Sequence, residues 1–237
     1  MVDEMEEISE ADILFEDNHL IAINKRAGQL SQPDNDGNPG LEYYVKQYIA
    51  HKYNKPGEVF LGSIHRLDQP TTGVILFART SKAHVRMEKL FREREIEKTY
   101  WALTQKKPKE LKGSLKHYVY QMPEKNIMKI TSDPDRAGAK LAEMDYKYLR
   151  SVRGVHLYQV LLKTGRKHQI RVQLSTIGGP IIGDLKYGYK NPLPDASVAL
   201  HARSLAFIHP VQKVPIKIIA PLPKQIESWD LFANEDD

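Results

Sequence analysis

The chain has 237 residues, of which 41% are hydrophobic, and this is enough to build a packed core in one large domain or two small ones. It contains no cysteine, which excludes disulfides, a thiolate nucleophile and sulfur-ligated zinc sites, and is typical of a reducing compartment. The net charge of +5 becomes +14 on residues 13–232 when the six acids of 1–12 and the three of 233–237 are set aside, which fits either a polyanionic partner such as nucleic acid or an ordinary lysine-rich surface.

The N-terminal part of the chain is predicted to alternate between short elements and loops. Residues 1–12 are predicted to be a disordered acidic leader, without the apolar segment of a signal peptide. Residues 13–25 indicate strand, turn and strand, and 26–40, dense in Gly, Pro, Asn and Asp, indicate a loop. Apolar residues at helical spacing predict a helix over 41–53. No stretch has the roughly 18 consecutive apolar residues that span a bilayer, so we expect a cytoplasmic protein without a membrane partner.

The remaining elements are dominated by strands. We predict a strand over 73–79, a helix over 81–93 with Ser81 as its N-cap, a strand over 98–105, a basic loop over 106–117 and a hairpin over 143–164. A helix from residue 168 to 177 and two strands near the C-terminus follow. The predicted fold class is α+β, with a single catalytic domain over 13–232 on a mostly antiparallel, mixed β-sheet flanked by helices and loops.

The segment IHRLDQPTTGVILFART, residues 64–80, places polar side chains directly before a buried strand. Asp68 precedes a turn, where an aspartate commonly hydrogen-bonds nearby amides. However, Arg66 lies on the same side of an extended segment and His65 adds a second polar group. A carboxylate held by such neighbours at a strand entrance is suited to act as a nucleophile or general base.

A second polar cluster occurs in TGRKHQIRVQL, residues 164–174. If this segment is helical, His168, Arg171 and Ser175 share one face, which is either a solvated basic surface or, with Arg166, an anion site. An ion pair between Arg171 and Asp68 would keep the carboxylate charged and oriented.

Tyr100 lies in the predicted strand 98–105, where a tyrosine is either packed in the core or available to stack on a base. Several other chemistries have no support in the sequence. It contains no phosphate-binding glycine loop, no HExxH motif and no histidines at metal-ligand spacing, so phosphate-loop and metalloprotease chemistry are set aside.

These segments resemble the RluA-type pseudouridine synthase family. IHRLDQPTTG is similar to its signature HRLDxxTSG, and NKRAGQL at 24–30 to its N-K-P-x-G-L segment. FREREIEKTY, TGRKHQIRVQL with GDLKYG, and LHARSLAFIHP resemble three further blocks in the same order.

The resemblance implies a pseudouridine synthase fold with a central active-site cleft, and an enzyme that isomerises uridine in tRNA or rRNA to pseudouridine after base flipping. It assigns Asp68 as the catalytic carboxylate, Tyr100 to contact with the target base, and Arg171 to an ion pair with Asp68. We expect RNA contacts from Lys25, His65, Arg66, Arg166 and His168. The enzyme is expected to act as a monomer without metal or cofactor.

The chain departs from the family pattern at three positions, where Arg26 stands for Pro, Thr72 for Ser and Gln173 for His. We also expect no separate N-terminal RNA-binding domain. The alternative function is a non-catalytic RNA-binding or chaperone module on the same fold. The target RNA and uridine stay open, as does the choice between attack by Asp68 at C1′, attack at C6 and deprotonation at C2′.

Overall fold

The computed structural model describes residues 7–224 and 226–233. Its strands are β1 (Ile13–Glu16), β2 (Leu20–Lys25), β3 (Gly62–Ser63), β4 (Thr72–Ala78), β5 (Glu97–Thr104), β6 (Lys112–Met122), β7 (Ile127–Thr131), β8 (Lys140–Val152), β9 (Val155–Leu162), β10 (Leu200–Ile208) and β11 (Pro215–Ile219). Its α-helices are α1 (Leu41–Lys52), α2 (Ser81–Glu93), α3 (Gln169–Leu174) and α4 (Glu227–Asp230).

The chain forms two compact units, which we call unit 1 and unit 2. Unit 1 comprises the residues up to Glu97 together with Ala202–Pro221, and unit 2 comprises Lys98–His201 with the residues after Pro221. In unit 1, β2 pairs antiparallel with β1 and β4, β3 with β4, and β11 with β10. In unit 2, the strands follow the antiparallel order β5-β9-β8-β6-β7. The predicted α+β fold on a mostly antiparallel sheet is confirmed, whereas the domain boundaries at 13 and 232 stay a prediction.

The core of unit 1 is built around β4, in which all seven residues are buried. Leu76 of this strand packs with Leu20, Met87, Leu205 and Phe207, so the apolar run predicts the strand correctly because both of its faces are covered. Helix α2 has the predicted bounds, but its N-cap is Thr80 rather than Ser81, since the Thr80 hydroxyl accepts from the Ala83 amide at 3.2 Å.

The structure of unit 2 differs from the sequence-based prediction at two elements. The segment predicted as a basic loop over 106–117 is a loop only to Leu111, and β6 begins at Lys112. Its charged side chains alternate with partly buried ones, which is the pattern of a strand with one solvated face. The helix predicted over 168–177 is shorter, because α3 ends at Leu174.

The acidic segment at 1–12 is only partly described, since residues 1–6 lie outside the described residues. Residues Glu10–Asp12 form a 3-10 turn, and the Asp12 carboxylate accepts from the Ser9 amide at 3.0 Å. The predicted disordered leader over 1–12 stays a prediction. Within the described ranges, no helix is long and apolar enough to cross a membrane.

Candidate functional site

Asp68 lies on a turn that leads directly into β4. Its side chain is partly buried, and its main-chain carbonyl accepts from the Thr71 amide at 2.9 Å. Gly73, at φ +109°, completes the entry into the strand, and a Cβ at this position would lie 2.3 Å from the Ala202 carbonyl oxygen. Only glycine permits both this backbone conformation and the close approach of β10.

The residues on either side of Asp68 are hydrogen-bonded to the loop over 26–40. The Ser31 hydroxyl donates to the Leu67 carbonyl at 2.7 Å and accepts from the Leu67 amide at 3.1 Å. The Gly28 amide donates to the Gln69 carbonyl at 3.0 Å, and the Gln69 side-chain amide donates back to the Gly28 carbonyl at 3.0 Å. The main chain at Asp68 is therefore fixed from both directions, as a positioned catalytic group requires.

Lys25, the last residue of β2, is fully buried beside the same turn. Its ammonium group donates to the carbonyls of Arg26, Gln69 and Thr71 at 2.9 to 3.0 Å. Burial lowers the pKa of Lys25 to about 7, while the negative charge of Asp68 acts to raise that pKa. The sequence predicts Lys25 as an RNA contact. In the structure, its ammonium group donates to these three main-chain carbonyls, and the RNA contact stays a prediction.

Arg26 replaces the expected proline and carries an ion pair. Its guanidinium donates from Nε and Nη2 to the Asp12 carboxylate, with the shortest distance at 2.7 Å. Its main-chain amide donates to the Gln29 side-chain oxygen at 2.9 Å. The substitution therefore ties the first loop to the 3-10 turn at Glu10–Asp12.

His65 and Arg66, both predicted RNA contacts, have different environments. His65 Nε2 accepts from the Leu76 amide at 3.0 Å, and its ring stacks on Phe91 at a centroid distance of 5.1 Å. This hydrogen bond assigns the proton of neutral His65 to Nδ1. Arg66 is exposed, with its Nη1 3.3 Å from the Gln32 side-chain oxygen. Of these two side chains, Arg66 is thus the more open to a ligand in solution.

Tyr100 and Arg171 belong to unit 2. Tyr100 lies in β5 opposite Val160 of β9 and is 8% exposed. The Arg171 guanidinium, on α3, donates from Nε and Nη2 to the two carboxylate oxygens of Asp184, both at 2.7 Å. This bidentate pair is almost fully buried, and such geometry fixes the plane of the guanidinium. The predicted pairing of Arg171 with Asp68 stays a prediction.

The entry into α3 brings Arg166 and His168 to defined positions. Gln169 accepts from the Thr164 hydroxyl at 2.7 Å and from the Arg166 amide at 3.0 Å through its side-chain oxygen. The Arg166 side chain is exposed and donates from Nε to the Leu141 carbonyl at 2.8 Å.

His168 is buried and lies before the helix, at φ +49°, with Nδ1 2.9 Å from the Tyr187 hydroxyl. Ser175 is the C-cap residue of α3. Of the three residues predicted to share a helical face, Arg171 lies within α3, whereas His168 and Ser175 are the cap residues at its two ends.

Gln173, the third departure from the family pattern, is fully buried. Its side-chain nitrogen is 3.0 Å from His117 Nδ1 and 3.3 Å from the Ala142 carbonyl. Burial lowers the pKa of His117, which favours the neutral ring that can accept this hydrogen bond. Gln173 thus links α3 to β6 and β8.

Comparison with known proteins gives consistent matches over nearly the whole chain. Residues 19–176 match the family described as RNA pseudouridylate synthase. The chain is 34% identical over 229 residues to the uncharacterized RNA pseudouridine synthase YhcT of Bacillus subtilis, covering 94% of this chain and 72% of that protein. It is also 34% identical over 213 residues to ribosomal large subunit pseudouridine synthase C of Rickettsia bellii, covering 89% of this chain and 68% of that protein.

Two solved human structures are similar to this fold. RNA pseudouridylate synthase domain containing 4 has a TM-score of 0.74 and 27% identity, covering 90% of this chain and 89% of that chain. RNA pseudouridylate synthase domain containing 1 has a TM-score of 0.69 and 21% identity, covering 94% and 86% of the two chains.

Proposed function

This chain belongs to the RNA pseudouridylate synthase family, and we propose that it isomerises a specific uridine in structured tRNA or rRNA, with Asp68 as the catalytic carboxylate. In this reaction the N1–C1′ bond breaks and a C5–C1′ bond forms. The C5 proton leaves and N1 gains a proton, so that no atom is added to the RNA and its chain length is unchanged.

The observation that carries this proposal is the construction of the Asp68 turn. Hydrogen bonds from the first loop hold both Leu67 and Gln69, and the fully buried Lys25 binds the carbonyls of Gln69 and Thr71. A structural aspartate on a surface turn does not require a buried cation beside it. A carboxylate that must meet one atom of a substrate requires this rigidity, since displacement by about 1 Å costs roughly 100-fold in rate.

The resemblance to the family also assigns catalytic roles to Arg171 and Tyr100, and we propose these roles for them. The buried pair with Asp184 supports a role for Arg171 in orientation, because two of its donors are committed and its plane is fixed. Such a guanidinium favours the ionised form of a neighbouring carboxylate. Tyr100 offers a flat ring for the uracil and a hydroxyl for transfer of the C5 proton.

The target base must leave its stack to reach Asp68, at a cost of a few kcal/mol. Contacts of cationic side chains with RNA phosphates offset this cost. Arg66 and Arg166 are both exposed and are the proposed phosphate contacts among the residues predicted from the sequence.

The proposal is tested by incubating the purified chain with unmodified tRNA and rRNA transcripts. We expect pseudouridine to form in the absence of added cofactor, with intact RNA on a denaturing gel, and we expect Asp68→Asn to form none. Cleaved RNA, or equal pseudouridine formation by wild type and Asp68→Asn, would contradict the assignment.

A further inference from the structure

Unit 2 carries a concentrated positive surface at the end of its sheet. We call it the basic end surface and define it by two segments. Residues 105–112 run from the end of β5 to the first residue of β6, and residues 147–154 are the end of β8 and its turn to β9. The Tyr148 amide donates to the Leu111 carbonyl at 2.7 Å, so the two segments are in direct contact. The surface has one acid, Glu110, and seven exposed cations, Lys106, Lys107, Lys109, Lys112, Lys147, Arg150 and Arg153.

Two of these cations face each other across neighbouring strands. Lys112 of β6 lies directly opposite Lys147 of β8, and like charges at such positions are destabilising. Elsewhere on the same two strands, Lys116 lies opposite Glu143 and forms an ion pair with it at 3.3 Å. The Lys112–Lys147 arrangement therefore does not serve the stability of the sheet.

A third cation occupies a backbone position that suits other residue types. Arg153 and Gly154 form the two-residue turn between β8 and β9, with φ angles of +49° and +78°. Turns with two positive φ angles favour Asn or Gly at the first position, because a longer side chain is strained there. The register shift between Tyr148 and Arg150 is a further irregularity beside this turn, and such bulges redirect side chains.

An aromatic ring lies among the cations. The Lys107 ammonium is 5.5 Å from the centroid of the Tyr148 ring, and the Tyr148 hydroxyl is 3.3 Å from His156 Nδ1. Burial, and then the charge of Lys107, lower the pKa of His156. Cations interleaved with a tyrosine are typical of surfaces that bind nucleic acid.

The basic end surface is separated from Tyr100 along β5. The strand runs four residues from Tyr100 to Thr104 before the surface begins, which is a distance of about 13 Å at 3.3 Å per residue. A single phosphate at the target nucleotide does not span this distance, whereas a continuous nucleic acid backbone does.

We propose that the basic end surface binds the phosphate backbone of a duplex region of the RNA substrate, remote from the uridine that is isomerised. This inference rests on the proposed function, which supplies RNA as the partner. It assigns the surface to affinity and register rather than to chemistry, because phosphate contacts position a protein on nucleic acid without reading its sequence.

The test replaces three cations by residues that the local backbone prefers, in the triple variant Lys112→Thr, Lys147→Thr and Arg153→Asn. The probe is a fluorescent 20-base-pair RNA duplex, titrated at several salt concentrations. We expect the affinity for the duplex to weaken at least about tenfold at low salt. The slope of log affinity against log salt concentration should decrease in magnitude by about 2 to 3, because each lost phosphate contact removes about 0.9 from it. We expect the melting temperature of the protein to stay equal or to rise.

The matched control removes the same charge from unit 1, in the triple variant Lys55→Thr, Lys82→Thr and Lys213→Asn. All three lysines are exposed, and Lys213 has φ +62°, so it matches Arg153 in backbone conformation. We expect this control to change duplex affinity less than about twofold. An equal loss in both triple variants would overturn the proposal, since net charge alone would then explain the effect.

Two further outcomes separate this inference from its alternatives. If the first triple variant lost the binding of wild type to vesicles of anionic phospholipid but kept its affinity for the duplex, RNA would be overturned as the partner of this surface. The assay for pseudouridine formation is independent of the duplex titration. If wild type makes no pseudouridine but the first triple variant loses duplex affinity, the proposed function is wrong, whereas binding of duplex RNA by the basic end surface is supported. If wild type makes pseudouridine and the variant binds normally, the surface fails.

Discussion

At the scale of single residues, the chemistry is proposed to depend on the charge of Asp68. Asp68→Asn keeps the size of the side chain and the main-chain bond to Thr71, but removes the nucleophile or base. We expect the rate of pseudouridine formation to fall at least about 1,000-fold, as for other essential catalytic groups, while RNA affinity changes less than about threefold because phosphate contacts dominate it. Single-turnover kinetics and an RNA titration measure both quantities, and a rate above a tenth of wild type would contradict the role.

Lys25 makes the same turn sensitive to pH. Its folded-state pKa is about 7, below the ordinary value of 10.5, so between these values the unfolded chain binds more protons than the folded chain. The free energy of unfolding therefore rises as the pH rises through this window, and it decreases as the pH falls towards 7.

The matching prediction compares wild type with Lys25→Met in urea unfolding from pH 7.5 to 9.5. We expect the free energy of unfolding of wild type to rise relative to the variant by about 1.4 kcal/mol per pH unit. Asp68→Asn removes a charge that raises this pKa, so it should move the lower end of the window to lower pH. A constant difference between wild type and Lys25→Met would show an ordinary lysine pKa.

At the scale of elements, the turn at Asp68 depends on the close approach of β10 to Gly73. In Gly73→Ala the new Cβ would lie 2.3 Å from main-chain oxygen at Ala202, and the φ of +109° is unfavourable for alanine. We expect the free energy of unfolding to fall by at least about 3 kcal/mol, through strain and displacement of the strand.

Gly37→Ala is the matched control for this substitution. Gly37 has φ +85°, but a Cβ added at this residue would have no atom within 4 Å. We expect a loss of about 1 to 2 kcal/mol from backbone strain alone. Chemical denaturation of both variants measures the difference, and equal losses would show that the approach of β10 does not constrain the turn.

The elements that sequence patterns predict are those with a strong local signal. The apolar run of β4 and the alternating pattern of β8 and β9 predict their strands directly. The pattern at the start of β6 predicts a loop, because Lys112, Gly113 and Lys116 weaken the alternation, although long-range pairing with β8 makes this segment a strand. Local pattern does not contain that pairing.

For the candidate site, the family motifs assign Asp68, Tyr100 and Arg171, and these roles stay predictions. Three contacts around these residues are not predictable from local sequence, because they depend on residues distant in sequence. These are the bonds from Ser31 to Leu67, from Lys25 to Gln69 and Thr71, and from Arg171 to Asp184. The motif GDLKYG contains Asp184, so its place in a block that resembles the family is the signal that could have found it.

At the scale of the whole molecule, the positive charge of the chain and the proposed reaction at Asp68 both fit RNA as the substrate. The positive body of the chain is expected to attract RNA through long-range electrostatics, and the basic end surface is proposed to hold a duplex region. The Asp68 turn is proposed to act on one extruded uridine. Affinity and catalysis are thus assigned to different residues, which is why they should respond separately to substitution.

The most direct measurement of the central claim is position-resolved pseudouridine mapping of tRNA and rRNA from cells with and without this chain. We predict that at least one uridine loses its modification when the chain is absent. Wild type should restore that modification, and Asp68→Asn, expressed at the same level, should not. An unchanged map, or full restoration by Asp68→Asn, would contradict the account.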